Sequence, residues 1–252
     1  MSNRDNLPQG TVPQSDGPPA PYQAYLAGGL FSQHDLASNV TMKEAVWRLS
    51  HGRFEVVLPQ SKELRQLDRQ DLAAHLRNLD LLELIRADIL IARFDGAEID
   101  AGTVLEFMLA KMLGKPSVII RTDSRHLASN GLDDPYNLML KGWPRTVVVH
   151  TDSLIDYVQM MAASPEDLRN GQSVESLLGA EMASIHKGMN AVAAMLIDGM
   201  ESVLRMESPY PRELRTIVYE AARHAPGSGF HLLLSKQHLE AILRRLEERN
   251  TL

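Results

Sequence analysis

The stretch "DGAEIDAGTVLEF", Asp95–Phe107, places four carboxylates among small residues directly after the apolar run "ADILIARF". Two or three carboxylates around one pocket suit cleavage at an acetal-type carbon. One of them must stay ionised to attack or stabilise the oxocarbenium-like centre, while another carries a proton to the leaving group. Neighbouring charges and partial burial separate their pKa values, which lets one residue type fill both roles. The candidates are Asp100 and Glu106, together with Asp80 if it projects into the same crevice.

A structural role would explain part of the same charge. Thr103-x-x-Glu106 matches the capping-box pattern, in which each side chain bonds the backbone N–H of the other at a helix start. The helix dipole would also favour Asp100 there. Asp80 is flanked by leucines one helical turn away on both sides, and a lone carboxylate beside an apolar stripe usually lies at its solvent edge. Spacing alone leaves both roles open.

These acids lie between elements that alternate along the chain. Five short, β-branched and nearly continuous apolar runs indicate strands that are covered on both faces. They lie at Tyr22–Leu26, Phe54–Leu58, Asp88–Phe94, Pro116–Ile120 and Thr146–His150. Helical periods separate them at Ser38–Leu49, Arg69–Arg86 and Thr103–Leu113, and Gly114-Lys115-Pro116 closes the last.

Alternating strands and helices predict an α/β fold, a doubly wound parallel five-stranded sheet with helices on both faces. Ligands of such sheets bind at the carboxyl ends of the strands. The turns that should carry a site are therefore Gly28-Gly29, Leu58-Pro59-Gln60, the opening "DGAEIDAGT" and Thr122-Asp123-Ser124.

The two ends of the chain have a different character. Residues 1–21 are rich in Pro, Gly, Gln, Asn and Ser, which indicates a disordered tail. After about residue 165 the pattern is helical, with one long helix or two helices meeting near a glycine, and then two more. We therefore expect a tail at 1–21, an α/β domain at 22–164 and a C-terminal helical appendage at 165–252, with no catalytic constellation in the appendage.

Composition excludes several classes of function. The absence of cysteine excludes disulfides, thiol nucleophiles and thiolate metal sites, and is compatible with a cytoplasmic location, which we expect. The net charge of -6 and the scattered basic residues argue against nucleic acid or membrane as partners. No apolar run reaches the roughly 18 residues of a membrane span, and the N-terminus has no signal-peptide core. Phosphate-loop motifs and metal-ligand histidine spacings are missing, so we expect neither cofactor nor metal.

Three segments resemble nucleoside 2-deoxyribosyltransferases. They are "YLAGGLF", "NLDLLELIRADILIARFDGAEIDAGTVLEFMLAKMLGKPSVII" and "DPYNLMLKGWP". The second contains an Asp, AD, DG, D-x-GT-x-x-E and GKP in the order typical of that family. The resemblance covers about residues 24–160 and omits the tail and the appendage.

The resemblance implies a flavodoxin-like fold and a retaining double displacement that moves 2-deoxyribose between nucleobases through a covalent sugar–enzyme intermediate. Glu106 takes the place of the nucleophile, and Tyr25 takes that of the tyrosine that orients it. Asp80 and Asp100 match two aspartates that contact base and sugar and are the candidate proton carriers. Nucleosides and free nucleobases would be the partners, in nucleotide metabolism and purine salvage.

Four further residues are assigned to substrate binding on the same basis. Asn137 matches an asparagine that the family lends to the neighbouring subunit, which implies a homo-oligomer with shared active sites. Phe31 matches an aromatic wall near the base, and Gly28 and Asp95 belong to the first-strand turn and the DG element. One departure is Met108, which stands where the family commonly has a glycine two residues after the nucleophile.

Two other functions remain open. A hydrolase could use the same carboxylates and give the deoxyribosyl intermediate to water. Hydrolases that prefer 5′-phosphates need serines or basic residues near the first loop, where "AGGLFSQHD" offers Ser32 and His34 but no Arg or Lys. A non-catalytic nucleotide-sensing module is the third possibility, although a pure binder does not need a nucleophile.

Overall fold

A parallel five-stranded sheet forms the centre of the fold, with the strand order β2-β1-β3-β4-β5. The computed structural model describes residues 19–61, 72–123, 137–163 and 173–252. This strand order is that of flavodoxin-like folds, in which the switch point lies between β1 and β3, so the predicted fold class is confirmed. The strands are β1 Tyr22–Ala27, β2 Phe54–Val57, β3 Ile89–Arg93, β4 Ser117–Arg121 and β5 Thr146–His150.

The described residues contain eight α-helices. They are α1 Gln33–Leu49, α2 Leu72–Arg86, α3 Ala101–Met112, α4 Ser153–Ala162, α5 Val174–Leu204, α6 Arg212–His224, α7 Phe230–Leu233 and α8 Lys236–Glu248. Short 3₁₀ turns lie at Pro59–Ser61 and Leu138–Leu140. The helix α4 follows β5 directly and has no counterpart among the sequence-predicted helices. The predicted disordered tail lies outside the described residues as far as residue 18.

Two helices begin earlier than their periodicity predicted, because an upstream side chain caps each of them. Ser32 and Asp35 form a capping box at the start of α1. Asp100 is the N-cap of α3, where its Oδ2 accepts from the backbone N of Thr103 at 2.7 Å and from the Thr103 hydroxyl at 2.9 Å. The predicted capping box between Thr103 and Glu106 is therefore wrong, since Thr103 is already inside the helix. Glu106 consequently lies too far inside α3 to be the capping-box partner of its N-cap.

The C-terminal helices pack on both faces of the sheet. One buried cluster joins residues of β1, α2 and α3 to α6, α7 and α8, with Tyr219 and Leu246 fully buried in it. The other cluster joins β1, β3, β4 and α1 to α5, with Leu196 and Met200 fully buried. The appendage thus supplies much of the cover that a parallel sheet requires on each face. The division between residues 164 and 165 remains a prediction, because residues 164–172 lie outside the described ranges.

The long segment after residue 173 is one continuous helix, α5, and one of its three glycines, Gly199, contacts the sheet. A Cβ at Gly199 would lie 3.2 Å from Val118 Cγ1 and 3.2 Å from Val149 Cγ2. Glycine therefore lets the α5 backbone approach β4 and β5 without interrupting the helix.

Asp88, just before β3, ties the chain end to the sheet. Its fully buried carboxylate accepts from the backbone N of Gln23 at 2.8 Å and pairs with Arg245 and Arg249, at 3.3 Å each. The Thr251 hydroxyl donates to the same carboxylate at 3.3 Å. Removing one partner from a buried, paired charge is strongly destabilising, so this cluster fixes the last helix against the sheet.

Candidate active site

Tyr25, Asp80 and Glu106 come together on one face of the sheet. Tyr25 lies in β1, paired with Val57 and Leu90 of the neighbouring strands, and its side chain is fully buried. Its hydroxyl donates to Glu106 Oε1 at 2.6 Å and lies 3.5 Å from Asp80 Oδ1. The two carboxylate oxygens are therefore at most about 6 Å apart. Neither carboxylate-bearing residue is fully buried, so this group borders solvent.

The environment keeps the Tyr25 hydroxyl protonated. Burial, reinforced by the charges of Glu106 and Asp80, raises the pKa of Tyr25 far above its ordinary value. The phenol is thus a permanent hydrogen-bond donor at neutral pH. A short bond from such a donor to a carboxylate is charge-assisted and fixes the orientation of the carboxylate.

A crevice of about 570 Å³ lies over the carboxyl ends of β1, β3 and β4. Asp100, Asp95 and Phe31 line it, together with the start of α1. Tyr25, Asp80 and Glu106 are not part of its lining. Six of the predicted site residues thus fall into two places, the three-residue group and this neighbouring crevice. The two places are linked through α3, because Asp100 caps the helix that carries Glu106.

The other acids of the DGAEID loop connect the loop to the end of β4. Asp95 accepts from the Thr122 backbone N at 2.6 Å and from the Thr122 hydroxyl at 3.0 Å. The next peptide, Gly96, donates to Asp123 Oδ2 at 2.6 Å. Glu98 is exposed. The crowding of charge after β3 therefore reflects separate tasks, namely loop bridging by Asp95, helix capping by Asp100 and the Tyr25 contact of Glu106.

Arg93 is a crevice residue that sequence reasoning missed. It ends β3 and is buried, and its guanidinium donates to Ser38 Oγ at 3.2 Å and to the Gly29 carbonyl at 3.3 Å. Asp95 and Asp35 lie 3.8 and 3.9 Å from it. The local sequence of the first loop contains no Arg or Lys, but in three dimensions Arg93 lies beside this loop, so the expectation that no basic residue is near it is wrong. An arginine inside the apolar run "ILIAR" is the signal that could have revealed it.

Asp35 faces Arg93 across the crevice as an ionised group. Hydrogen bonds from Ser32 hold the pKa of Asp35 below its ordinary value, and His34 and Arg93 act in the same direction. The crevice therefore contains one buried guanidinium that is already surrounded by carboxylates.

The remaining predicted residues occupy different surroundings. Gly28 lies against Arg93, since an added Cβ would sit 3.3 Å from Arg93 Cβ. Phe31 is 84% exposed at the crevice mouth. Asn137 caps the 3₁₀ turn, its Oδ1 accepting from Met139 N at 2.9 Å, and is exposed. The structure describes no contact between Asn137 and the Tyr25 group within residues 19–61, 72–123, 137–163 and 173–252.

A smaller chamber of about 150 Å³ opens beside the crevice and includes the C-terminal region. It shares Ser38, Arg93 and Asp95 with the crevice, and Ser184 and Met189 of α5 form part of its wall. The helical region thus reaches the edge of the candidate site.

The described residues contain no group of three or more His, Asp or Glu side chains that could hold a metal ion. None of the helices in the described ranges is both long and apolar enough to cross a bilayer.

Part of this chain matches the model of a known protein family. The model of the nucleoside 2-deoxyribosyltransferase family matches residues 24–139. This stretch is a nucleoside 2-deoxyribosyltransferase family domain. The resemblance carried by the sequence segments is thereby confirmed. The match indicates an enzyme of the deoxyribosyltransferase type, and the family implies nucleosides and nucleobases as substrates.

Among solved structures, a conserved protein from Enterococcus faecalis V583 is 27% identical, with a TM-score of 0.42, over 54% of this chain and 95% of that one. A 2-deoxyribosyltransferase from Bacillus psychrosaccharolyticus is 19% identical, with a TM-score of 0.41, over 52% and 85% of the two chains. A 2-desoxiribosyltransferase from Leishmania mexicana is 23% identical, with a TM-score of 0.38, over 48% and 87%. A comparison with curated proteins finds no significant match.

Proposed function

We propose that this protein transfers 2-deoxyribose from one nucleobase to another through a covalent deoxyribosyl ester on Glu106. The observation that carries the proposal is the 2.6 Å hydrogen bond from the buried Tyr25 hydroxyl to Glu106 Oε1. This bond orients a carboxylate that is not the cap of its own helix and that lies at the edge of solvent. Such an oriented, ionised carboxylate is what nucleophilic attack on a sugar carbon requires.

In the first step a Glu106 oxygen attacks the anomeric carbon, the carbon–nitrogen bond to the base breaks, and a proton reaches the departing base. The incoming base then displaces Glu106 from the same carbon and returns a proton. Two displacements retain the configuration. Retaining glycosidases have carboxyl groups about 5–5.5 Å apart, and inverting ones about 6.5–9.5 Å. The limit of about 6 Å between Asp80 and Glu106 oxygens fits the retaining case.

Asp80 and Asp100 are the proposed proton carriers. Asp80 approaches the Tyr25 hydroxyl at 3.5 Å, beside the proposed nucleophile. Asp100 keeps Oδ2 on Thr103 and faces the crevice, where a base could lie between it and Phe31. We assign Asp95 to the crevice wall that receives the substrate, and Gly28 to the backbone that lies against Arg93 of the same wall.

We also propose that subunits share active sites through Asn137. The neighbouring residues Leu138 and Met139 are 73% and 77% exposed. Two large apolar side chains this exposed on one short turn favour contact with another chain. A second copy seated there would bring its own reacting group next to Asn137. Reuse of free bases would place this homo-oligomer in purine salvage, in the cytoplasm.

Hydrolysis of nucleoside 5′-phosphates is the second candidate, because Arg93 supplies a cation beside the first loop. Its guanidinium is already engaged by Ser38, Gly29 and two nearby carboxylates. A phosphate entering this crevice would also meet the negative charge of Asp95 and Asp100. These charges favour an uncharged nucleoside. The nucleotide-sensing alternative offers no use for the bond between Tyr25 and Glu106.

The deciding experiment is a base-exchange assay by chromatography with 2′-deoxyinosine and free adenine, and with no acceptor in a parallel reaction. Formation of 2′-deoxyadenosine supports transfer. Hypoxanthine and free deoxyribose without a new nucleoside would make the protein a hydrolase. If neither reaction occurs with purine or pyrimidine donors, 5′-phosphates included, the sensing function takes precedence.

Glu106→Gln tests the nucleophile itself. The amide oxygen can still accept from Tyr25, so the change costs only about half of a charge-assisted bond, about 1 kcal/mol, and lowers Tm by about 2–4 °C. Turnover should fall at least ~10³-fold, because a neutral amide cannot form the ester. Glu98→Gln removes the same charge from an exposed position of the preceding loop and should leave turnover unchanged. Near wild-type turnover in Glu106→Gln would end the mechanistic proposal.

A further inference from the structure

A second polar cavity, of about 370 Å³, lies away from the crevice. Its lining includes Arg145, which immediately precedes β5, so the cavity is at the amino-terminal edge of that strand. The crevice lies at the opposite, carboxyl edge of the sheet. Three arginines line it, together with one acidic and one hydroxyl side chain: Arg145, Arg205, Arg215, Glu207 and Ser208.

The charge of this lining is mainly positive, with three arginines against one acidic side chain, Glu207, which is exposed. The backbone oxygen of Leu252 accepts from Arg145 Nη1 at 3.4 Å. The three guanidiniums therefore exceed the negative groups around them, and an anion in the cavity would balance the difference.

Arg145 is the most buried cation of the cavity and is only 4% exposed. Its Nη1 donates to the Gly114 carbonyl at 3.0 Å and its Nη2 to the Asn250 carbonyl at 3.5 Å. Its Nε is buried and has no hydrogen-bond acceptor among the described residues. Burial lowers the pKa of Arg145 to about 10, with a further contribution from Arg215. A buried guanidinium held mainly by neutral carbonyls is costly without a counter-charge.

Two more groups of the lining suit an oxyanion. The Ser208 hydroxyl is buried and has no partner within the described part of the chain, so its O–H is available to donate. Arg215 is positioned by its Nε, which donates to the Tyr210 carbonyl at 3.1 Å. The backbone here is closely packed, since a Cβ at Gly114 would lie 2.9 Å from Tyr210 Cδ2. Gly114 therefore lets the Tyr210 ring approach the backbone that accepts from Arg145.

We propose that this cavity binds a phosphate group, either as inorganic phosphate or as the phosphate of a nucleotide. Guanidinium groups bind phosphate oxygens through paired, charge-assisted hydrogen bonds, and a serine hydroxyl adds a neutral donor. The cavity volume falls within the range of about 300–1,000 Å³ that is usual for small-ligand sites. This site is independent of Glu106 and of the proposed transfer reaction.

The test is a titration of the full chain with inorganic phosphate, in which binding is measured by calorimetry and by ³¹P NMR. The ionic strength is kept constant with chloride. We expect saturable binding. The Arg205→Gln/Arg215→Gln double variant should bind at least about tenfold more weakly, because it loses charge-assisted hydrogen bonds. Ser208→Ala should show a smaller, few-fold loss. Arg145 is left unchanged in these variants because its carbonyl contacts also hold the backbone.

The Lys236→Gln/Arg244→Gln double variant is the matched control, since both side chains are exposed on α8 and neither lines the cavity. It removes the same two positive charges and should leave phosphate binding unchanged. If phosphate binding weakens equally in this control, the loss depends only on the net charge of the protein, and the proposal is overturned. The absence of phosphate binding up to about 10 mM would also overturn it.

A second arm identifies the source of the phosphate. If 2′-deoxyadenosine 5′-monophosphate displaces bound phosphate more effectively than an equal concentration of phosphate does, the site binds nucleotides. If it does not, the ligand is free phosphate. Both results support the site, whereas displacement by uncharged 2′-deoxyadenosine would contradict recognition of the phosphate group.

Discussion

Tyr25→Phe isolates the contact on which the proposed mechanism rests. The ring of Tyr25 is fully buried between the strand neighbours of β1, so phenylalanine fills the same space. The substitution removes the single oxygen that bonds Glu106 at 2.6 Å and approaches Asp80 at 3.5 Å. Glu106 keeps its charge, and only the hydrogen bond that orients its carboxylate is lost.

The magnitude follows from the type of bond and from its burial. A hydrogen bond to a charged group contributes about 1.5–3 kcal/mol. Glu106 is only partly buried, so water can partly replace the hydroxyl, and the lower end of about 1.5 kcal/mol applies. This corresponds to a Tm lowered by about 3–6 °C. If the same contribution is made in the transition state, kcat falls by about tenfold or slightly more.

The assay is the initial rate of base exchange at saturating substrate, with Tm measured on the same samples. Tyr22→Phe is the matched control on the same strand, because the Tyr22 ring packs against Phe54 with centroids 5.9 Å apart, away from the carboxylates. It should leave kcat unchanged. KM of Tyr25→Phe should also stay close to the wild-type value, because the hydroxyl orients the nucleophile and does not line the crevice.

The pH profile distinguishes orientation from proton transfer. Since burial keeps Tyr25 protonated, the ratio of wild-type to variant kcat should be constant between about pH 5 and 9. A wild-type kcat in the variant would refute the orienting role. A loss beyond about 10⁴-fold together with a missing limb of the profile would instead make the phenol a proton carrier.

Two further predictions concern the buried lysines and the proposed shared site. Burial lowers the pKa of Lys111 and Lys115 to about 7. Between pH 7 and about 10 the unfolded chain therefore binds more protons than the folded chain does. The free energy of unfolding rises in this range by up to about 1.4 kcal/mol per pH unit for each lysine. Lys115→Met should roughly halve the rise between pH 7 and 9 in urea denaturation, whereas the exposed Lys236→Met should keep it. An undiminished rise in Lys115→Met would contradict the assignment. Asn137→Asp keeps the oxygen that caps Met139 N but lacks the amide donor, so kcat should fall at least about tenfold at unchanged Tm. Mixing it with Glu106→Gln subunits should restore activity, and a mixture that stays inactive would argue against sharing.

Sequence patterns predicted the local elements well because strands and helices follow from short-range periodicity. The five apolar runs are strands within one or two residues of their predicted bounds, and alternation with helices fixes a parallel sheet. Helix starts were less well predicted. At α3 both Asp100 and Thr103 are residue types that cap helices, and only the backbone geometry shows that Asp100 does so.

The sequence by itself determined the α/β class, the order of its elements and the chemistry available to Glu106, because those depend on residue type and nearest neighbours. Tertiary structure decided which distant residues meet. The Tyr25 hydroxyl lies 2.6 Å from Glu106 Oε1 because β1 lies beside β3. In that position the Tyr25 side chain faces α3, the helix that follows β3. The same packing brings Arg93 to the first loop, α5 to the edge of the crevice and three arginines to one cavity. No local period encodes such contacts, since they arise only when the sheet buries its two faces.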